Sequence, residues 1–234
     1  MCGRYSLAGP SPAELRERFE VGASVELRRR FNVCPGDDVA CVTAGRDGAP
    51  RGELLRWGLV PHWSRDPAGG VKMINARAET VAGKPAYRDA FARRRCLVLA
   101  DGFYEWQSRP GERRKQPWHV TRSDGAPFAF AGLWETWHGD GGVVLRTCTI
   151  VTTQANAVLA EVHDRMPVIL PARDAEIAWL DPGTPAAALH DLLAPLPDAL
   201  TARRAVGPAV SDARYDGPEC LADAVPEAEQ GALF

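Results

Sequence analysis

Branched and aromatic residues occur along most of the chain in short apolar blocks. Gly, Pro, Asp or Asn clusters punctuate most of these blocks. Apolar blocks bounded by turn-forming residues are typical of β-strands. The pattern therefore predicts strands at Val39–Thr43, Leu54–Leu59, Cys96–Ala100, Trp118–Arg122, Phe128–Trp134 and Leu145–Thr152.

Helix signals lie before, between and after the predicted strands. Ser11 is placed to cap a helix whose first turn contains Pro12, and Glu14 completes a capping box. Leu15 and Phe19 would then share one face of that helix. Further helices are predicted at Pro85–Arg94, Gln154–Val162, Arg173–Leu180 and Pro185–Leu193.

These elements predict a single α+β domain over residues 1–223. Its core is expected to be a curved, mostly antiparallel β-sheet or barrel-like sheet, with helices at the margins. The segment 224–234 is acidic apart from its final apolar residues, and we expect a flexible tail there.

Composition narrows the class of protein. The 234 residues are 45% hydrophobic and 25% charged, as in ordinary soluble globular proteins. The net charge of −2 means that any nucleic-acid site must be a local basic patch. Arg93-Arg94-Arg95 is interpreted as a solvated helix end rather than as such a patch.

Cysteine spacing and hydropathy indicate a cytoplasmic protein with reduced thiols. None of the six cysteines forms a C-x-x-C pair, and the five histidines show no ligand spacing, so no metal and no cofactor are expected. No signal peptide is visible, and no apolar run approaches the ~18 residues of a membrane helix. We expect a monomer without a membrane partner.

The N-terminal Met1-Cys2-Gly3-Arg4 offers unusual chemistry. Methionine aminopeptidase removes Met1 when residue 2 is small, which would leave Cys2 with a free amine next to its thiol. An α-amine has a pKa near ~8, so part of it is neutral and can attack an aldehyde to give an imine. The thiol can then close a five-membered thiazolidine. Taken alone, this sequence favours the plainer interpretation of Cys2 as a small buried residue.

Two titratable residues are candidates for proton transfer. Glu105 follows the buried strand Cys96–Ala100 between aromatic residues, and desolvation there would favour its protonated form. A surface glutamate in a turn is an equally good interpretation. His163 can exchange protons near neutral pH, although a histidine at a helix end that interacts with terminal carbonyls would have the same sequence.

Polar and aromatic residues suggest a nucleic-acid groove. Asn75 and Arg77 share one face of an alternating segment, so Asn75 could orient a substrate while Arg77 binds phosphate. Arg165 could bind a phosphate with both arms of its guanidinium. Trp63 lies in a polar loop and could stack on bases. A solvated strand face and a local Asp164–Arg165 pair are the alternatives.

Together these pieces resemble the SRAP family, the abasic-site processing proteins of bacteria and eukaryotes. The motifs occur in the family's order from residue 1 to about 210. They are Met1-Cys2-Gly3-Arg4, Asn32-Val33-Cys34-Pro35-Gly36, Trp57-Gly58, Asn75-Ala76-Arg77 with Glu79-Thr80, Ala100-Asp101-Gly102-Phe103-Tyr104-Glu105-Trp106, Lys115-Gln116-Pro117, and His163-Asp164-Arg165 with Pro167.

The resemblance implies a β-rich domain whose processed Cys2 forms a thiazolidine with an abasic site in single-stranded DNA. It implies that Asn75 positions the N-terminal residue or the sugar, that Glu105 assists sugar opening, and that His163 moves a proton. It also implies strand incision at the site and peptidase-like removal of the N-terminal residue. The residues expected to contact DNA are Arg4, Trp63, Arg77, Trp106 and Arg165.

Other classes remain open from the residues themselves. Glutamine amidotransferases that begin Met-Cys-Gly use the free amine as a base, and a thiol peptidase could use Cys2, His163 and Glu105. A DNA-binding module without chemistry would bind reversibly and lose affinity with salt. The loop Pro61-His62-Trp63-Ser64 departs from the family pattern, which leaves the stacking contacts least supported.

Overall fold

The computed structural model describes residues 2–23, 25–45 and 47–224. The strands are β1 (Tyr5–Leu7), β2 (Arg30–Val33), β3 (Asp38–Ala44), β4 (Pro50–Trp57), β5 (Asn75–Arg77), β6 (Arg95–Ala100), β7 (Gly102–Gln107), β8 (Gln116–Arg122), β9 (Phe128–His138), β10 (Val144–Gln154), β11 (Arg165–Pro167), β12 (Ile169–Leu170) and β13 (Thr201–Ala205). The α-helices are α1 (Pro12–Phe19), α2 (Arg88–Arg93), α3 (Ala157–Ala160), α4 (Arg173–Leu180) and α5 (Ala186–Asp191).

Five strands close into a barrel in the order β10-β4-β3-β6-β9 and back to β10. All neighbours are antiparallel except β10 and β4, which run parallel. Alternate side chains of these strands point inward, because successive residues of a strand face opposite sides. Trp57, Phe130 and Ile150 are among the fully buried residues of this core. The barrel-like α+β domain predicted from the sequence is therefore confirmed.

A second antiparallel sheet has the order β13-β8-β7-β1-β2. Its buried residues Cys2, Tyr5, Phe103 and Val120 belong to the same apolar cluster as the barrel interior. Tyr5 makes edge contacts with the ring of Trp57, with centroids 5.4 Å apart. Strand β1 of the second sheet is thus packed against the barrel, and Cys2, just before it in the chain, is buried.

The helices cover the barrel through a second apolar cluster, to which Leu15, Phe19, Phe91 and Trp179 contribute. The capping box at Ser11 is present, since Ser11 Oγ accepts from the Glu14 backbone N–H and Glu14 accepts from that of Ser11. Helix α4 begins and ends where the sequence predicted.

Three sequence predictions are wrong in detail. Gln154 ends strand β10, because it pairs with Arg165 of β11, and helix α3 begins only after its cap, Asn156. Glu105 lies inside strand β7, so the alternative interpretation as a surface glutamate in a turn is wrong, and the strand predicted at Cys96–Ala100 is followed directly by another. Arg95, predicted to lie in a solvated helix end, is buried. Its guanidinium is satisfied there by donating to backbone carbonyls at the ends of α2 and α4. Residues 225–234 of the predicted tail lie outside the described residues.

Candidate active site

Cys2 lies three residues before the start of β1 at Tyr5 and is completely buried. Its carbonyl oxygen accepts a hydrogen bond of 2.7 Å from Asn75 Nδ2. Burial is the largest cause that raises the pKa of the Cys2 thiol, and the charge of Glu105 raises it further. The thiol of the chain that carries Met1 is therefore protonated and lies within electrostatic reach of Glu105.

Strand pairing brings Glu105 to the N-terminal segment. Tyr5 pairs with Phe103, and the Tyr104 N–H donates to the Arg4 carbonyl at 3.0 Å, so the antiparallel register continues toward Glu105 and Gly3. Glu105 is 4% exposed, and burial raises the pKa of its carboxyl group. A raised pKa keeps more of the carboxylic acid available to donate a proton.

His163 lies between α3 and β11, and its charge acts on Glu105 in the opposite direction, lowering the pKa that burial raises. The Arg165 backbone N–H is 3.0 Å from His163 Nδ1, and Asp164 Oδ1 is 2.8 Å from the same nitrogen. One nitrogen cannot accept from the first and donate to the second in one tautomer. We assign the acceptor role, because the Asp164 side chain is 84% exposed and can move away. When the imidazole of His163 is neutral, its proton is then on Nε2.

Asn75 begins β5, which pairs in parallel with β10. Its backbone is fixed on both sides, since Trp57 Nε1 donates to the Ile74 carbonyl at 2.9 Å and Tyr87 Oη donates to the Asn75 carbonyl at 3.3 Å. Its amide nitrogen holds Cys2, whereas its buried Oδ1 accepts no hydrogen bond within the described chain. This oxygen is an acceptor available to an amine or hydroxyl in the site.

The arginines predicted to bind phosphate differ in how their side chains are held. Arg4 donates to Asn32 Oδ1 at 2.9 Å and to the Val210 carbonyl at 2.7 Å, with its guanidinium 5.8 Å from the centre of the Trp106 ring. Trp106 itself donates to Ser211 Oγ.

Arg165 uses both arms on Glu79, at 2.6 and 3.1 Å, and also donates to the Thr152 carbonyl at 2.6 Å. Arg77 is exposed at the end of β5. Arg4 and Arg165 are thus already oriented by protein acceptors, whereas Arg77 extends into solvent.

Trp63 is 58% exposed and lies in the loop 58–74 that joins β4 to β5. The residues on both sides of it are fixed to β9. His62 Nδ1 is 3.1 Å from Glu135 Oε2, and Trp137 Nε1 donates to the Ser64 carbonyl at 2.7 Å. Arg94 also donates to Glu135, at 2.7 Å. The loop therefore presents an exposed indole on a fixed base.

The base of that loop is close-packed where it leaves the barrel. The Leu59 N–H donates to the Met73 carbonyl at 3.1 Å. Gly58 has φ +132, and a Cβ there would lie 2.7 Å from the Gly70 carbonyl oxygen. Only glycine combines this backbone conformation with such a close approach. The loop ends are consequently held together next to Asn75.

The family model described as "SOS response associated peptidase (SRAP)" matches residues 1–213. The chain belongs to the SRAP family. It is 41% identical over 185 residues to a protein named "Abasic site processing protein YoaM" from Bacillus subtilis, covering 78% of this chain and 80% of that protein. It is 34% identical over 200 residues to mouse "Abasic site processing protein HMCES", covering 73% of this chain and 56% of the mouse protein.

Solved structures show the same SRAP architecture. A protein from Bacteroides thetaiotaomicron superposes with a TM-score of 0.86, at 24% identity, over 96% of this chain and 100% of that chain. A protein from Bordetella bronchiseptica superposes with a TM-score of 0.75, at 29% identity, over 88% of this chain and 100% of that chain.

In this SRAP chain the structure brings together the four residues predicted to be catalytic. Cys2 precedes β1, Asn75 begins β5, Glu105 lies in β7, and His163 precedes β11. Hydrogen bonding joins the first two, and electrostatic interactions join Cys2 to Glu105 and Glu105 to His163.

Two buried residues next to the candidate site were not predicted as site residues from the sequence. Asn32 donates to the Asp212 and Tyr215 carbonyls, at 2.9 and 2.7 Å, and so ties the C-terminal segment to the strand next to Arg4. Glu135 fixes the Trp63 loop. An acidic residue within the apolar run Phe128–Trp137 is the signal that could have found Glu135.

Two further properties concern the described part of the SRAP chain. Residues 2–23, 25–45 and 47–224 contain no group of three or more His, Cys, Asp or Glu side chains that could hold a metal ion. Within the same residues, no helix is both long and apolar enough to cross a membrane.

Proposed function

We propose that this chain, once Met1 has been removed, captures the ring-opened sugar of an abasic site in single-stranded DNA as a covalent adduct on Cys2. The observation that carries the proposal is the hydrogen bond from Asn75 to the Cys2 carbonyl, at a position where Glu105 interacts electrostatically with both Cys2 and His163. The membership of the SRAP family supports it, as do the relatives named abasic site processing proteins.

The reaction consumes one aldehyde and one aminothiol and releases one water. The Cys2 amine adds to the sugar C1 aldehyde, giving a carbinolamine whose hydroxyl is protonated and leaves as water. The Cys2 thiol then adds to the imine carbon, and its proton passes to the nitrogen. The nitrogen and the sulfur of Cys2 are then both bonded to the sugar C1 within a five-membered ring. This closed adduct contains no imine, so it resists the β-elimination that an open imine allows.

Glu105 and His163 have complementary roles in this proposal. The abasic sugar must first open, which requires a proton at the ring oxygen and loss of one from the anomeric hydroxyl. The buried Glu105 can donate a proton because burial raises its pKa. The resulting Glu105 carboxylate can then take up the proton that the anomeric hydroxyl loses, and the Nε2–H of neutral His163 can donate a hydrogen bond to the sugar hydroxyl. Asn75 holds the Cys2 carbonyl and offers Oδ1 to the amine.

Incision and N-terminal self-processing would use the same groups. An imine that forms before ring closure can undergo β-elimination, with Glu105 or His163 removing the proton. Removal of Met1 within the chain would require attack on the bond preceding Cys2. A thiol hydrolase that acts without DNA is less well supported, because the relatives of this chain are named abasic site processing proteins.

The test is denaturing gel electrophoresis with a single-stranded oligonucleotide that carries one abasic site, followed by intact mass. We expect a heat-stable adduct equal to protein lacking Met1 plus oligonucleotide minus one water. Cys2→Ala should abolish this adduct, whereas Cys34→Ala, which removes a half-buried internal thiol, should retain it. A Cys2→Ala protein that still forms the stable adduct would refute the proposal.

A further inference from the structure

The loop between β7 and β8 concentrates positive charge. This basic hairpin loop, residues 108–115, contains Arg109, Arg113, Arg114 and Lys115, all exposed, against the single acid Glu112. Arg109 lies 3.5 Å from Glu112 and forms an ion pair with it. Within the described residues, no carboxylate lies within ion-pair distance of the other three cations.

Three adjacent cations without counter-charges repel one another, and they make no ion pair that would stabilise the fold. The net charge of the whole chain is −2, so the positive charge of this loop is a local excess. Such a local excess is the electrostatic footprint expected of a surface that receives a polyanion.

The basic hairpin loop also forms one wall of an open groove of about 640 Å³. Arg113, Arg114 and Lys115 line that wall, and the uncharged residues Ala205–Pro208 at the end of β13 also line the groove. Among the described residues that line the groove, Glu112 is the one acidic side chain, and it is paired with Arg109. A phosphate backbone there would therefore meet mainly cations and neutral backbone.

The basic hairpin loop directly follows the strand that carries Glu105. Strand β7 ends at Gln107, and an extended path from Glu105 to Arg109 spans at most about 13 Å at ~3.3 Å per residue. Gln107 Nε2 donates to the Glu161 carbonyl at 2.7 Å, which ties the end of β7 to the segment before His163. Gln107 Oε1 accepts from Trp118 Nε1 at 3.0 Å, which fixes that side chain.

This distance corresponds to roughly four phosphates of a stacked strand at 3.4 Å each. We propose that the basic hairpin loop holds the phosphate backbone of the DNA strand as it leaves the active site. The inference rests on the proposed function and adds a second, lesion-independent contact with the partner. The loop contributes affinity for long strands and takes no part in the chemistry at Cys2.

The experiment compares the parent with Arg113→Gln/Arg114→Gln and with Arg28→Gln/Arg93→Gln, a control that loses two exposed arginines elsewhere. Equilibrium binding is measured by fluorescence anisotropy over a range of salt concentrations. The probe is a long single strand with a central tetrahydrofuran, an abasic analogue that has no aldehyde. Rates of adduct formation are measured separately on short strands with two nucleotides on each side of an abasic site.

We expect the plot of log K against log salt to lose about 1.4 of its slope in Arg113→Gln/Arg114→Gln, since each phosphate contact on a single strand contributes about 0.7. The control should keep the parental slope, and all three proteins should form the short-strand adduct at the same rate. An unchanged slope in the loop variant would overturn the inference, as would an equal loss in the control.

A slower reaction of the loop variant on short strands would also overturn it, because the loop would then act on the site itself. The salt dependence requires no covalent chemistry. If the parent forms no adduct while the loop variant alone changes the slope, the proposed function fails and the contact between loop and strand stands.

Discussion

His119 makes the stability of this fold sensitive to acid. It lies in β8 with 6% of its surface exposed, and its Nε2 is 2.9 Å from Ser6 Oγ. Ser6 Oγ donates to Asp101 Oδ1 at 2.6 Å, so it accepts from His119, whose Nδ1 has no partner among the described residues. Burial lowers the pKa of His119 from 6.5 to about 3.

The direction of the effect follows from proton binding. Below pH 6.5 the unfolded chain takes up a proton at His119, whereas the folded chain stays neutral down to about pH 3. The contribution of His119 to the free energy of unfolding is therefore fully present above pH 6.5 and is lost as the pH falls toward 3. Between pH 6.5 and pH 5.0, at about 1.36 kcal/mol per pH unit, His119 alone removes ~2 kcal/mol from the free energy of unfolding.

Urea unfolding at pH 7.5 and pH 5.0 measures this loss in the parent, in His119→Gln and in His138→Gln, which replaces an exposed histidine at the end of β9. Other groups also titrate over this interval, but they do so in all three proteins. We expect the parent and His138→Gln to lose ~2 kcal/mol more than His119→Gln does. An equal loss in His119→Gln and the parent would show that His119 is protonated in the folded state and would refute the reasoning.

Three further predictions concern single side chains. Glu105→Gln should slow adduct formation at neutral pH by ~100-fold or more, and a parental rate would remove Glu105 from proton transfer. Arg95→Met should lower the free energy of unfolding by about 3 kcal/mol or more in urea, because it leaves buried helix-end carbonyls without donors, whereas a loss under ~0.5 kcal/mol would contradict its capping role. Glu135→Gln should weaken binding of single-stranded DNA by releasing the Trp63 loop, by at most the ~1–3 kcal/mol of one stacked base. In a Trp63→Ala background the same change should have no further effect on the dissociation constant, and an additive loss would show that Glu135 acts elsewhere.

Local sequence was sufficient wherever a structure depends on near neighbours. The Ser11 capping box, helix α4 and the apolar strand blocks were predicted because each signal lies within a few residues of its partner. The aminothiol that Cys2 would carry after loss of Met1 could likewise be predicted, because its two groups lie on adjacent carbons of one residue. The residue types of the candidate site could be named for the same reason.

The tertiary structure decided which of these residues meet and what surrounds them. Closure of the barrel depends on the pairing of β10 with β4, and β10 also pairs with β5; both of these strands lie far from β10 in the sequence. That closure places Asn75 against Cys2, and the pairing of β1 with β7 brings Glu105 alongside. Periodicity alone cannot predict such pairings, because it reports which face of a strand is apolar and not which strand lies beside it.

Burial of charge also depended on the assembled fold. From the sequence, Arg95 belonged to a solvated basic run, yet it caps two helix ends inside the protein. Glu105, His119 and Glu135 are buried by residues that are distant in the chain, and desolvation is what shifts the pKa of the first two. The sequence alone determined the chemical groups, whereas their protonation and mutual contacts arise from a low-dielectric environment that exists only in the folded protein.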